Sequence, residues 1–260
     1  MTAQLSYTEQ GAGTPFVLLH AFPLSRVMWT QDAARFAKMG RVITPDLPGF
    51  GRSVRDPSPS MATMADAVGR LLDQLGPQQP VILGGLSMGG YVALEFLRKF
   101  PERVKALALF STKAAADSPE QRQGRFKLIE RLRHEGLKGL PRTMLPTLVG
   151  RTTAAAHPSV VAEVERLILA ADLDGVIDAL RAMADRADAR SRLSSIACPT
   201  LIIAGSEDQV IPPGESRLMA EAIQGAELTI IPRAGHLTNL EQPEAFQAVV
   251  EAWLRRVAAA

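Results

Sequence analysis

Alternation of short apolar runs with longer amphipathic stretches is the feature of this sequence that most restricts its fold. Continuous apolar runs suit parallel strands that are covered by helices on both faces. The candidate strands are residues 16–19, 42–44, 81–83, 106–110, 200–203 and 228–231. Residues 5–8 are expected to pair as an antiparallel edge strand. The pattern predicts βαβ units, and hence an α/β fold with a mainly parallel central sheet flanked by helices.

The strand-like rhythm breaks between about Ser111 and Ser195, where helical periodicity takes over. Apolar residues in this segment recur at the three- and four-residue spacing of one helix face. The clearest stripes are Val160, Val164, Leu167, Ile168 and Ala171; Val176, Ile177, Leu180 and Met183; and Phe126, Ile129 and Leu132. We therefore predict an α/β core made of residues 1–111 and 195–260, with residues 112–194 inserted as a helical cap, or lid.

Composition limits the classes of protein to which the chain can belong. A length of 260 residues with 47% apolar residues suits one α/β domain with an insertion, or two small domains. The formal net charge of +2 argues against nucleic-acid or membrane partners. No basic segment followed by an apolar core begins the chain at Met1, so no signal peptide is expected. The single cysteine, Cys198, fits a reducing, cytoplasmic compartment and is expected to be a buried structural thiol.

A pentapeptide with two glycines, Gly85-Leu86-Ser87-Met88-Gly89, follows one candidate strand directly and precedes a helical pattern. A G-x-S-x-G sequence between a strand and a helix exposes a serine hydroxyl on a sharp, strained turn. Glycines flank the serine because the strand and helix backbones crowd there and a Cβ would clash. The pentapeptide alone is weak evidence, but in this context it predicts that Ser87 is a nucleophile.

A serine nucleophile needs a general base, and a third group must orient that base. The chain offers four histidines. His236 follows the strand at 228–231, in a loop at the carboxyl edge of the sheet, where open α/β folds place their sites. His134 and His157 fall in the cap and are expected to be surface or helix-end residues. His236 is therefore the candidate base.

Asp208 is the candidate acid, because it lies in the loop that follows the strand at 200–203. The order Ser87, Asp208, His236 matches the nucleophile, acid and base order associated with the strained serine turn. Glu207 is the competing acid, and its alternative interpretation is a solvated turn residue. The Asp46-Leu-Pro-Gly sequence instead suggests that Asp46 anchors a structural turn.

An oxyanion hole is the fourth element that this chemistry needs. It should combine the backbone N–H of Met88, which follows the nucleophile, with an N–H from the loop after the first core strand. That loop is His20-Ala21-Phe22-Pro23, and Phe22 is the candidate donor. The alternative is that Met88 and Phe22 only line an apolar pocket. Both interpretations hold together, because the hole needs only their backbones.

Together these motifs resemble the α/β-hydrolase family, and in particular its compact capped carboxylesterases, 3-oxoadipate enol-lactonases and pimeloyl-carrier methyl ester esterases. The matching segments are residues 20–23, 46–53, 85–89 and 100–104, and the loops around Asp208 and His236. The resemblance implies a carboxylic ester hydrolase that forms an acyl-enzyme on Ser87. Serine, rather than aspartate, at this position points to acyl transfer. One departure is Ala21, where the family usually has glycine.

Other outcomes of the same triad remain open. Peroxide in place of water at the acyl-enzyme would give a perhydrolase or a cofactor-free haloperoxidase, and some family members cleave carbon–carbon bonds. A third hypothesis is a non-catalytic ligand-binding protein on a hydrolase scaffold. No cofactor and no metal are expected, because the sequence carries neither a G-x-G-x-x-G fingerprint nor histidines and cysteines at zinc-site spacing.

The cap has an uneven charge distribution. Between Lys113 and Arg151 it carries nine basic residues against four acidic ones. A basic face could attract an acidic carrier protein or a carboxylate-bearing substrate, or could be an ordinary solvated helix surface. The pocket between core and cap is expected to be apolar. The candidates for its wall, each equally suited to the core, are Leu24, Trp29, Met144 and Leu145.

Overall fold

A single twisted sheet forms the centre of the molecule. The computed structural model describes residues 4–76 and 79–259, and within them seven strands pair in the order β1-β3-β2-β4-β5-β6-β7. The strands are β1 (Tyr7–Gln10), β2 (Pro15–Leu19), β3 (Arg41–Pro45), β4 (Val81–Leu86), β5 (Val104–Phe110), β6 (Thr200–Gly205) and β7 (Glu227–Ile231). Only the β1–β3 pairing is antiparallel. The predicted α/β fold with a mainly parallel sheet is confirmed.

Helices connect these strands and cover the sheet. Outside the β5–β6 connection they are α1 (Thr30–Phe36), α2 (Met61–Leu75), α3 (Met88–Lys99), α9 (Pro213–Ala222), α10 (Thr238–Glu241) and α11 (Pro243–Ala259). Helix α2 packs on α3, and α1 packs on α11. Strands β2 and β4 are buried along their whole length, as expected of strands covered on both faces.

The edge strand begins two residues later than its sequence predicts, at Tyr7 rather than Leu5. Leu5 is buried, and the main-chain groups of Ser6 form hydrogen bonds with other residues. The Ser6 amide donates to Ser53 Oγ (2.8 Å), and the Ser6 carbonyl accepts from the Asp46 amide (2.8 Å). These residues therefore pack on the loop after β3 before the antiparallel ladder starts.

The connection between β5 and β6 is helical throughout the part that forms regular structure. It contains α4 (Pro119–Glu135), α5 (Leu140–Leu148), α6 (Arg151–Ala156), α7 (Pro158–Leu169), α8 (Leu173–Ala184) and a 3-10 turn (Arg190–Ser195). Helix α4 packs on α8, while α5 and α6 pack on α7. The apolar stripes of α7 and α8 are largely buried, as their spacing predicts. The domain boundaries at residues 112 and 194 remain a prediction, and residues 112–194 are termed the helical segment.

The helical segment sits directly on the loop that follows β3. A Cβ atom added to Gly175, at the start of α8, would lie 1.8 Å from the Gly49 carbonyl oxygen. No side chain fits between two backbones at that distance. The close approach brings the helical segment over the carboxyl edge of the sheet, the edge at which β2, β4, β6 and β7 end.

The sequence also predicts that the chain has no signal peptide and no membrane partner. The first of these predictions falls partly on residues 1–3, which lie outside the described residues. Among the helices of the described ranges, none combines the length and apolarity needed to cross a membrane.

Cys198 is half-buried rather than buried, and it lies just before β6, at the sheet edge opposite to Ser87. Burial raises the pKa of the Cys198 thiol, which disfavours the reactive thiolate.

Candidate active site

Ser87 occupies a strained turn between β4 and α3. Its φ of 56° and ψ of −112° lie where residues with a side chain are rarely found. The Ser87 amide donates to the Phe110 carbonyl (2.9 Å), and its carbonyl accepts from the Gly90 amide (2.9 Å) and from Thr112 Oγ1 (2.9 Å). Main-chain bonds on both sides therefore hold the serine in a conformation that it would not adopt by itself.

The two glycines of the pentapeptide make this turn possible. A Cβ on Gly85 would lie 2.2 Å from the Gly89 carbonyl oxygen, and a Cβ on Gly89 would lie 2.3 Å from the Leu19 carbonyl oxygen. Both contacts are with backbone, which cannot move aside as a flexible side chain can. The predicted crowding of the strand and helix backbones is confirmed.

His236 and Asp208 form a buried pair at the carboxyl ends of β7 and β6. His236 Nδ1 lies 2.8 Å from Asp208 Oδ2. The other carboxylate oxygen, Oδ1, accepts the amides of Val210 and Ile211, each at 2.9 Å. Because the carboxylate accepts the Nδ1–H bond, the imidazole Nε2 of the neutral ring is left free to take up a proton.

A cavity of about 290 Å³ brings the predicted site residues together. Ser87, His236 and Phe22 line it, between the carboxyl edge of the sheet and the helical segment. Met88, the first residue of α3, is buried next to the serine. Within the described ranges, neither the Phe22 amide nor the Met88 amide has a hydrogen-bond acceptor. Both N–H groups are thus available as donors.

Glu207, the competing acid, faces the helical segment instead of the histidine. It accepts the Thr152 amide (2.8 Å) and the Thr152 hydroxyl (2.6 Å), and its side chain is only 12% exposed. Although its partial burial acts to raise the pKa of Glu207, these hydrogen bonds and Arg151 lower it. The interpretation of Glu207 as a solvated turn residue is wrong, because Thr152, at the start of α6, lies opposite it in space.

The loop that carries Phe22 is held by two buried side chains. His20 Nε2 accepts the Leu47 amide (2.9 Å), and its Nδ1 donates to the Ala21 carbonyl (3.0 Å). Burial lowers the pKa of His20 and keeps the ring neutral, as these bonds require. Asp46 accepts the Arg26 amide (2.9 Å), which agrees with its interpretation as a turn anchor. His134 and His157 are exposed at helix ends in the helical segment, as expected.

Sequence reasoning missed Glu241, a buried acid of the short helix α10. Its Oε2 accepts the amides of Gly235 (2.9 Å) and Gly150 (2.8 Å), and its Oε1 accepts the Leu237 amide (3.0 Å). Glu241 therefore holds both neighbours of His236 in place. No local pattern distinguishes this glutamate from an exposed one, so the sequence offered no signal for it.

A buried charged cluster also escaped sequence reasoning. In this basic cluster, Asp117 accepts hydrogen bonds from Arg125 Nε and from Arg186 Nη1 (2.7 Å), and Lys113 Nζ lies 3.7 Å from the same carboxylate. Burial acts to raise the pKa of Asp117, but the two arginines lower it overall. Lys113, Asp117 and Arg125 line the cavity next to Ser87. The expectation of an apolar pocket is therefore wrong on this wall.

The rest of the cavity wall is largely apolar. Of the four candidates for the wall, Met144 lines the cavity. Leu24 and Trp29 belong to the core, where Trp29 packs against Phe110 and Phe246. Leu145 packs against the core and does not line the cavity. Sequence alone could not separate these residues, because a wall residue and a core residue are equally apolar.

Comparison with known proteins identifies the family. The family model of the alpha/beta hydrolase fold matches residues 14–243, which is most of the chain. The chain belongs to the α/β hydrolase family. The family predicted from the motifs is confirmed.

Several relatives of this α/β hydrolase are named as esterases or lactonases. It is 30% identical to 3-oxoadipate enol-lactonase 2 of Acinetobacter baylyi, over 88% of this chain and 84% of that protein. It is 32% identical to a pimeloyl-[acyl-carrier protein] methyl ester esterase of Pectobacterium carotovorum, over 96% of this chain and 98% of that protein. A malate-bound structure of a thermophilic esterase from Thermogutta terrifontis superposes with a TM-score of 0.95 at 40% identity, covering 98% and 94% of the two chains. These names support the prediction of an ester hydrolase.

Proposed function

We propose that this α/β hydrolase cleaves a carboxylic ester or lactone through an acyl-enzyme on Ser87. The observation that carries the proposal is the 2.8 Å His236–Asp208 pair, whose imidazole lines the same cavity as the strained Ser87. The proposal includes the division into an α/β core, residues 1–111 and 195–260, and a helical cap, residues 112–194. In this division the core supplies the reacting groups and the cap closes the cavity.

The reaction proceeds in two stages on the same three side chains. His236 Nε2 removes the hydroxyl proton of Ser87 as Ser87 Oγ attacks the carbonyl carbon of the substrate. Asp208 stabilises the imidazolium that forms. The Phe22 and Met88 amides donate hydrogen bonds to the oxyanion. His236 then protonates the leaving alkoxide, which departs as an alcohol from an ester and stays joined to the acyl group from a lactone. In the second stage His236 removes a proton from water as the water attacks the acyl carbon, and His236 returns that proton to Ser87 Oγ as the acid is released.

The substrate is proposed to be a small molecule rather than an ester carried by a protein. An acyl-carrier protein is named for several relatives, and the excess of basic residues in the cap at first suggests such a partner. Several of these basic residues, however, are engaged in ion pairs, which reduces the free charge of the outer surface. The paired surface residues are Arg122, Arg133 and Arg151, whereas Lys113 and Arg125 line the cavity.

Ser87→Ala provides the decisive test. Wild-type protein should hydrolyse p-nitrophenyl esters of short acids, and the variant should lose at least about 10³-fold in kcat. A fluorophosphonate probe should label wild-type Ser87 and leave the variant unlabelled. Ser194→Ala, an exposed serine of the 3-10 turn, is the matched control and should keep both properties. Esterase activity that persists in Ser87→Ala would refute the proposal. Failure of the wild-type protein to be labelled or to turn over any ester or lactone would favour a ligand-binding scaffold.

A further inference from the structure

The basic cluster carries more positive charge than its own acid neutralises. Asp117 is its single carboxylate, and two guanidinium groups and one ammonium group surround it. Arg186 is fully engaged, because it also donates to the Ala115 carbonyl (2.7 Å) and its guanidinium lies over the Tyr91 ring (4.1 Å to the centroid). Arg125 binds Asp117 through two nitrogens. The excess charge therefore resides on the side where Lys113 and Arg125 line the cavity.

Lys113 is the member of the cluster with bonding capacity to spare. Its side chain is only 10% exposed, and its Nζ donates to Gln121 Oε1 (2.8 Å), a neutral acceptor. The Asp117 carboxylate at 3.7 Å is beyond hydrogen-bond distance. Across the described residues no other acceptor lies within reach of this ammonium group, which has three N–H bonds to donate. Burial, and to a smaller extent Arg186, lower the pKa of Lys113. An anion bound beside this ammonium group would therefore stabilise its charged form.

The position of this lysine relates it to the substrate. Lys113 follows β5, and Ser87 follows the adjacent strand β4, so both lie at the carboxyl edge and line one cavity. A volume of about 290 Å³ is at the small end of ligand pockets, which span about 300–1,000 Å³. One small molecule that occupies the cavity can therefore contact both ends of it.

We propose that Lys113, supported by the charge of Arg125, binds a free carboxylate of the substrate, so that the preferred substrates are short monoesters or lactones of dicarboxylic acids. This inference rests on the proposed function, since it places the ester carbonyl at Ser87. An ammonium–carboxylate hydrogen bond that is shielded from water is stronger and less screened than one at the surface. The same excess charge on an exposed helix face would distinguish poorly between substrates with and without a carboxylate.

Matched pairs of esters test the inference. Monomethyl succinate, glutarate and adipate are compared with methyl butanoate, pentanoate and hexanoate, which replace the carboxylate by a methyl group. Wild-type kcat/KM should favour the acid in at least one pair by about tenfold or more, the size expected for one shielded charge pair. The chain length with the largest ratio reports the separation of Lys113 from Ser87. Raising the ionic strength should lower the ratio only slightly, because a pair shielded from water is little screened.

Variants assign the preference to Lys113. Lys113→Met, which removes the charge and keeps the length, should lower the ratio of acid to neutral ester by about tenfold or more. Lys113→Arg should restore part of it. Lys127→Met is the matched control, because Lys127 is an exposed lysine of α4, and it should keep the wild-type ratio. If Lys113→Met fails to fold, wild-type protein decides alone: glutarate, but not the neutral glutaramide, should protect Ser87 from the fluorophosphonate.

Three results would overturn the inference. One is a wild-type ratio near one in all three pairs, and another is a ratio that Lys113→Met leaves unchanged. The third is equal protection of Ser87 by glutarate and glutaramide. In each of these cases, hydrolysis of the neutral methyl esters that depends on Ser87 would leave the proposed function standing.

Discussion

The carboxyl edge of the sheet and the helical segment position their functional groups in different ways. At the edge, the main chain does the positioning: Ser87 is held by a strained turn, and two amides fix the carboxylate of Asp208. In the helical segment, the groups that face the cavity are side chains, such as Arg125 of α4, whose partners are other side chains. Proposed chemistry therefore depends on backbone geometry, and proposed recognition depends on residues that can change without disturbing the sheet.

Two buried acids show the same difference in electrostatic terms. Asp32, of helix α1, accepts bonds from the neutral side-chain amides of Asn239 and Gln247, each at 2.9 Å. Burial raises its pKa to about 6 despite those bonds. The side chain of Asp117 in the helical segment is only 1% exposed, yet its pKa is lowered because two arginines outweigh burial. Burial thus determines the direction of the pKa shift at Asp32, and two arginines determine it at Asp117.

The largest expected effect is a difference in kcat between variants of two neighbouring acids. Asp208 belongs to the proposed triad at the carboxyl edge, and Glu207 bonds to the helical segment. Asp208→Asn should lower kcat by about 10⁴-fold, because the histidine loses the carboxylate that fixes its tautomer. Glu207→Gln should cost less than about tenfold in kcat and about 1 kcal/mol in unfolding free energy, since it weakens only the bonds to Thr152. Steady-state kinetics and urea unfolding measure both. An equal loss of kcat in the two variants would contradict the assignment of the acid.

A pair of glycine substitutions compares the backbones of the two regions. Gly89→Ala should destabilise the protein by more than about 3 kcal/mol, because the new Cβ would overlap the Leu19 carbonyl. Gly124 lies inside α4 with open space at its Cβ position, so Gly124→Ala should stabilise by up to about 1 kcal/mol. Urea unfolding midpoints give both values. A stable Gly89→Ala variant with normal activity would show that the turn is less constrained than proposed.

The smallest effect is a pH dependence of stability. The pKa of Asp32 is about 6 in the folded protein and 3.8 for an ordinary aspartate of the unfolded chain. The contribution of Asp32 to the unfolding free energy is therefore fully present below pH 3.8 and is lost as pH rises through 6. The unfolding free energy of wild-type protein relative to Asp32→Asn should fall by about 2 kcal/mol between pH 4.5 and pH 7.5. A flat difference for Asp32→Asn would refute the raised pKa.

Much of the sheet could be predicted because its signals are local. Each core strand lies where a short apolar run predicts it, and only the edge strand shifts, since Ser6 bonds to a loop far away in the sequence. Ser87, Asp208 and His236 come together at one end of the sheet because parallel strands bring their carboxyl ends to the same edge. Their catalytic roles remain the proposal that the substitutions test.

The sequence by itself determined the elements whose causes act between neighbours along the chain. Gly85 and Gly89 appear beside Ser87 because the turn leaves no room for a Cβ, and that constraint is visible in the pentapeptide. Tertiary structure alone decided the pairing of Glu207 with Thr152, 55 residues away, and of Glu241 with Gly150, 91 residues away. It also decided that Lys113 and Arg125 line the cavity, whereas most other basic residues of the helical segment are exposed. The physical reason is that backbone crowding is a short-range effect, whereas the partner and burial of a charged side chain depend on which distant segments pack against it.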